Sequence, residues 1–127
     1  VMPGSLLFDY GDALRFAASS GSEDERDIDK IWFDLNKFTA FTKGFLTEMS
    51  NYLTKDEIEL MPVSALLMTY ECGIRFLTDY LNGDTYFKIH REGHNADRCR
   101  TQFKLVWDIE KKLPEMKKII QKILGSL

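Results

Sequence analysis

The sequence predicts an all-α domain, because large apolar side chains recur at three- and four-residue steps along nearly its whole length and no stretch alternates as a strand would. An apolar share of 44% in 127 residues supplies enough side chains for a single core without a disulfide or metal staple. The expected architecture is a compact bundle of about five to seven helices.

The first element is expected to be short. Pro3-Gly4 reads as a turn, Asp9 and Asp12 as carboxylates that cap free amides, and Ala13-Leu14-Arg15-Phe16-Ala17 as the helix that follows. The opening reads as an interior turn rather than a natural start, so the chain is expected to be part of a longer protein. Ser19-Ser20-Gly21-Ser22 and Glu23-Asp24-Glu25-Arg26-Asp27 form a polar connection expected to be mobile on the surface. From about Asp34 to Leu53, Phe38, Phe41, Phe45, Met49 and Tyr52 fall on one helical stripe, which predicts a core face.

Thr54-Lys55-Asp56-Glu57 is a capping box and starts the next helix. Pro62 predicts a kink or the first turn of a new helix. The helix from Val63 to Leu81 places Leu66, Leu67, Tyr70, Ile74, Leu77 and Leu81 on one side and reads as the central, core-facing helix, with Asn82-Gly83 as its stop. The run Asp84–Asn95 is a mixed aromatic and basic loop of the kind that carries function. A helix over 96–112, with Cys99, Phe103 and Val106 on a shared face, is followed by a last helix started by Pro114. That final helix sets Met116, Ile119, Ile120, Ile123 and Leu124 against Lys117, Lys118, Gln121 and Lys122, a pattern that predicts packing on the chain's own body.

A net charge of −3 leaves no electrostatic footprint for nucleic acid. No run approaches the length needed to span a bilayer, and membrane association is not expected. The two cysteines, Cys72 and Cys99, have no metal-type spacing and read as reduced, packed thiols, which fits a cytoplasmic protein. His90 and His94 are not expected to bind metal, since Gly93 interrupts the helix between them and no third ligand is tied to them by spacing. His94-Asn95-Ala96-Asp97 with Gln102 only loosely imitates a kinase catalytic loop, and Asn95 or Asp97 is expected to cap a helix. No glycine-rich phosphate loop, phosphate-binding lysine strand or His-x-Asp-x-x-x-x-Asn loop is present.

Gly4 followed by Asp9-Tyr10-Gly11-Asp12-Ala13-Leu14-Arg15, then Phe33-Asp34-Leu35-Asn36, Phe41-Thr42-Lys43-Gly44-Phe45-Leu46, Glu71-Cys72-Gly73-Ile74-Arg75-Phe76-Leu77-Thr78-Asp79-Tyr80 and His90-Arg91-Glu92-Gly93-His94-Asn95 together resemble the C-terminal part of the aminoglycoside-phosphotransferase-like kinases, most nearly the N-acetylhexosamine kinases. The resemblance spans most of the chain. It implies the helical C-lobe subdomain of a protein-kinase-like fold, with the nucleotide-binding lobe, the catalytic aspartate and the magnesium-binding aspartate upstream, so that ATP and Mg are expected for the full-length protein and none for this part alone. It implies sugar-holding roles for Arg75 and Tyr86 and a bracing role for Asp9, with Asp12 beside it. An ordinary helix ion pair with Glu71 or Asp79 accounts for Arg75 equally well. The pocket tryptophan of that family has no counterpart, Lys112-Leu113-Pro114 standing in its place, and sugar identity stays open.

Two other classes compete. A free-standing helical interaction domain would bind a partner helix in a groove and do no chemistry, whereas in the kinase-part reading exposed apolar surface marks where the missing lobe docks or where a homodimer forms. A mucin-sugar sulfatase is disfavoured, because Cys72-Gly73-Ile74-Arg75 lacks the proline of the formylglycine signature.

Overall fold

A computed structural model describes the backbone of residues 3–127 and the side chains from residue 6 onward. The described residues form five α-helices: α1 (Pro3–Ala17), α2 (Leu35–Met49), α3 (Lys55–Glu59), α4 (Met61–Leu81) and α5 (His94–Gly125). Single 3-10 turns at Ile28–Lys30 and Ser50–Tyr52 join them. The all-helical expectation holds among the described residues, where the only extended pairing is an isolated bridge between Ser19 and Phe33.

Several boundaries differ from expectation. The helix expected over 13–17 already begins at Pro3, so Asp9 and Asp12 lie inside α1 and cap nothing. Proline suits a first helical turn, where its missing amide has no partner to lose. Pro114 does not begin a new helix either: α5 passes through it as one helix of 32 residues. The lost hydrogen bond and ring clash cost about 3 kcal/mol in a helix interior. Here the proline sits on the exposed side, while Leu105 and Ile109 before it and Met116, Ile120 and Ile123 after it are buried, so core packing holds both halves in line. The capping box at Thr54 forms as expected, with Glu57 N–H donating to Thr54 Oγ1 at 3.1 Å and Thr54 N–H to Glu57 Oε1 at 2.8 Å.

The largest correction concerns α4. Most of the stripe expected to face the core points outward: Leu67, Tyr70, Ile74, Leu77 and Leu81 are exposed, and only Leu66 of that set packs against the core. The buried side carries Ser64, Ala65, Thr69, Gly73, Phe76 and Asp79. Small residues win the inside because α1 and α5 approach α4 closely there. A Cβ on Gly11 of α1 would lie 2.4 Å from the Ser64 carbonyl oxygen, and one on Gly73 would lie 2.7 Å from Phe103 of α5. Glycine in mid-helix is entropically costly, and close packing is what compensates it.

The core lies between α1, α2 and the second half of α5, around Tyr10, Leu14, Phe33, Phe38, Leu46, Ile109, Met116 and Ile120. Of the stripe expected on α2, Phe38 is buried, Phe41 and Phe45 pack against the core, and Tyr52 falls outside the helix and is exposed. Tyr10 donates or accepts at Thr42 Oγ1 over 2.7 Å and stacks on Phe45, and burial pushes its phenol well above the ordinary range. The last turns of α5 are amphipathic as expected, with Lys117, Lys118, Gln121 and Lys122 exposed.

The polar connection over 19–27, expected to be mobile, is tied down, as is the segment to Phe33 that follows it. Phe33 N–H donates to Asp108 Oδ2 at 2.6 Å, and Lys112 Nζ donates both to Asp108 and to the Phe33 carbonyl at 2.7 Å. Arg15 reaches Glu23 at 2.6 Å and Arg91 donates to the Asp24 carbonyl at 2.9 Å. The buried His94 ring pairs with Asp24 at 2.9 Å, a contact that leads the forces holding the Asp24 carboxyl below its usual range.

Candidate functional site

The residues singled out in the sequence converge where α4 ends. Asn82 closes the helix, and Gly83 and Asp84 adopt positive φ of 91° and 60°, which reverses the chain. Asp79, in the last turn of α4, is buried and receives the Tyr86 amide at 2.7 Å and the Phe87 amide at 3.0 Å. Asn95, in the first turn of α5, donates to the same carboxylate at 2.7 Å and to Asp84 at 3.0 Å. Asn95 is thus a bridge between helices rather than a cap. Burial works to raise the Asp79 carboxyl, but the amides of Phe87, Tyr86 and Thr85 and the Asn95 side chain outweigh it and hold the group below the usual carboxylate range.

This clamp presents residues 85–87 beside Arg75. The Arg75 guanidinium carbon lies 5.8 Å from the Tyr86 ring centre and 5.7 Å from that of Phe87. Phe87 packs on Phe76 at 4.7 Å and on Tyr86 edge-to-face at 4.9 Å, so it anchors the loop while Tyr86 stays 74% exposed. Arg75, Thr78, Asp79, Asn82, Thr85, Tyr86 and Phe87 line an open cavity of about 370 Å³. The structure therefore brings Arg75 and Tyr86 together. Among the described residues Arg75 has no carboxylate partner, and Asp79 is spent on the loop amides. The helix ion pair does not form.

Asp12 pairs with Arg15 at 2.9 Å on α1, and Arg15 in turn lines a second cavity that also contains Arg75. Asp9 is exposed in mid-helix. Lys112 is engaged with Asp108 and Phe33 and serves the fold. Cys72 and Cys99 are both free thiols, and burial raises the Cys72 thiol to about 11. Among the described residues no group of three or more His, Cys, Asp or Glu is arranged to hold a metal ion, and no helix is long and apolar enough to cross a membrane.

As read from the sequence, Phe87 and Asp79 had no role of their own in the site and Asn95 had only a capping one. Only the helix-stopping Asn82-Gly83 pointed towards a structured turn there, and nothing in its pattern named Asp79 as the acceptor that organises it. No protein-family model matches the chain.

Proposed function

We propose that the chain is the substrate-side helical portion of an ATP-dependent sugar phosphotransferase of the N-acetylhexosamine type. The observation that carries the reading is the pairing of an uncommitted guanidinium fork, Arg75, with an exposed aromatic face, Tyr86, on one open cavity of about 370 Å³. Sugars are held in this manner: a ring face stacks on an aromatic, while hydroxyl and acetamido oxygens accept hydrogen bonds from a fixed fork. The motif resemblance that singled out both positions in the sequence supports the same assignment.

In this reading the chain binds and orients the acceptor sugar, and the nucleotide-side lobe upstream supplies ATP, magnesium and the carboxylate that orients the attacking hydroxyl. Asp79 and Asn95 keep Tyr86 in place, and Asp9 and Asp12 act as supports on α1. The outward apolar stripe of α4 is where the upstream lobe docks. The chain alone would not catalyse, and a cytoplasmic setting goes with the reading.

In the full-length phosphotransferase, Arg75→Ala and Tyr86→Ala, which remove the fork and the aromatic face, are expected to raise the sugar KM with a smaller change in kcat, since both residues hold the sugar before and during transfer. Unchanged KM and kcat in both variants would remove them from the site.

The stripe favours one other reading. Leu67, Tyr70, Ile74, Leu77 and Leu81 at alternating three- and four-residue steps make a seam suited to a partner helix, and a free-standing interaction domain would use it without chemistry. That domain would show no sugar response at Tyr86.

A further inference from the structure

A second cavity, of about 340 Å³, adjoins the first and shares Arg75 and Phe87 with it. Its charge is opposite to that of the chain as a whole. Arg15, Arg75, Lys88 and Arg98 line it against one carboxylate, Glu23, in a protein of net charge −3. Arg15 is already neutralised by Glu23 at 2.6 Å and Asp12 at 2.9 Å. Arg75, Lys88 and Arg98 have no carboxylate partner among the described residues.

These three cations are not loose surface charges gathered by chance on one helix. They come from α4, from the connecting segment and from α5, and two of them are positioned. Arg98 is half-buried over the Phe76 ring at 5.6 Å, and one of its terminal nitrogens donates to Asn95 Oδ1 at 2.9 Å and to the Lys88 carbonyl at 3.1 Å. The rest of its fork is uncommitted. Arg75 lies over Phe87, which itself packs on Phe76, so the two guanidinium groups flank one aromatic pair. Like charges held around one concavity repel, and an anion seated between them relieves that repulsion while taking charge-assisted hydrogen bonds. A planar carboxylate is satisfied by one arginine fork. Three cations approaching from three elements match the tetrahedral, dianionic head of a phosphate monoester.

We propose that this cavity binds the phosphate group of a small phosphorylated ligand. Its geometry stands independently of the sugar reading, although a phosphorylated sugar could span both cavities by way of Arg75. Cys72 lines the cavity and Cys99 is buried, so Cys72 in a Cys99→Ser background is a local reporter. The experiment measures the rate of Cys72 alkylation by iodoacetamide in inorganic phosphate, N-acetylglucosamine 6-phosphate, N-acetylglucosamine, or sodium chloride at matched ionic strength. Both phosphate-bearing probes are expected to slow alkylation about fivefold or more near saturation, which requires about 80% occupancy or more. Lys88→Gln, at an exposed position that leaves the fold intact, and Arg98→Gln, checked for folding by circular dichroism, should each weaken that protection. Equal rates in phosphate and chloride would overturn the proposal. So would protection that survives in both variants. A shift of the Tyr86 amide NMR signal with N-acetylglucosamine, without phosphate protection of Cys72, would remove this proposal and leave the sugar reading in place; phosphate protection with no such shift would do the reverse.

Discussion

Asn95 donates its side-chain amide to the Asp79 carboxylate at 2.7 Å, and through that one bond the first turn of α5 is tied to the last turn of α4. The same carboxylate holds the Tyr86 and Phe87 amides, so this buried acceptor places the cavity wall together with the packing of Phe87 on Phe76. Asp79→Asn replaces one acceptor oxygen with a donor facing those amides. It should lower the thermal midpoint and speed hydrogen exchange at the Tyr86 and Phe87 amides, with the α1–α2 core protected as before. Unchanged exchange at both amides would show that the loop is held by something else.

The pH dependence of this clamp follows from the direction of its shift. A carboxyl held below its usual range in the fold stabilises the protein above its unfolded pKa, and that contribution is lost as pH falls through the lower folded value. Urea midpoints taken at neutral pH and at pH about 3, below the ordinary aspartate pKa, should converge between the native protein and Asp79→Asn. A gap that stays constant across that range would contradict the assignment.

Two glycine substitutions are predicted to have opposite signs. Gly11→Ala drives a methyl into the Ser64 backbone, 2.4 Å from its carbonyl oxygen, and should destabilise by roughly 1–3 kcal/mol. Gly44→Ala, on the exposed side of α2 with nothing within 4 Å, should stabilise by roughly 0.5–1 kcal/mol through helix propensity. Chemical denaturation of the two variants side by side checks both the close α1–α4 approach and its specificity.

The outward orientation of the α4 stripe is tested by polar substitution. Leu67→Gln and Leu81→Gln, at positions 52% and 73% exposed, should each change the stability of the isolated chain by no more than about 0.5 kcal/mol. Losses of 2 kcal/mol or more, the scale of a buried leucine, would restore the core-facing assignment.

Cys72 should alkylate slowly at neutral pH, its rate still climbing as pH rises towards about 11, because burial disfavours the thiolate. A plateau near pH 9 in a Cys99→Ser background would contradict that environment.

Element type was legible in the sequence wherever a local signal acted alone: the Thr54–Glu57 box and the Asn82-Gly83 stop both form where their residues predict. The face of α4 was not, because periodicity identifies an apolar stripe but cannot say whether α1 and α5 need its large side or its small side. Gly11 and Gly73 decide that by their close approach to Ser64 and Phe103, a relation between helices distant in sequence. Pro114 misled for a similar reason, since tertiary packing on both sides of it overrides the local break. At the site, Arg75 and Tyr86 were named from the sequence, while the Asp79–Asn95 clamp that joins two helices and the basic cavity around Arg98 emerge only when the helices are assembled.

The central claim, that Arg75 and Tyr86 together hold a sugar, is tested most directly by titrating the chain with N-acetylglucosamine and following its amide and arginine side-chain NMR signals. The account predicts saturable shifts confined to Arg75, Asp79 and residues 85–87, abolished in Arg75→Ala while the rest of the spectrum is unchanged. Spectra that stay the same at millimolar sugar, or shifts that persist in Arg75→Ala, would contradict it.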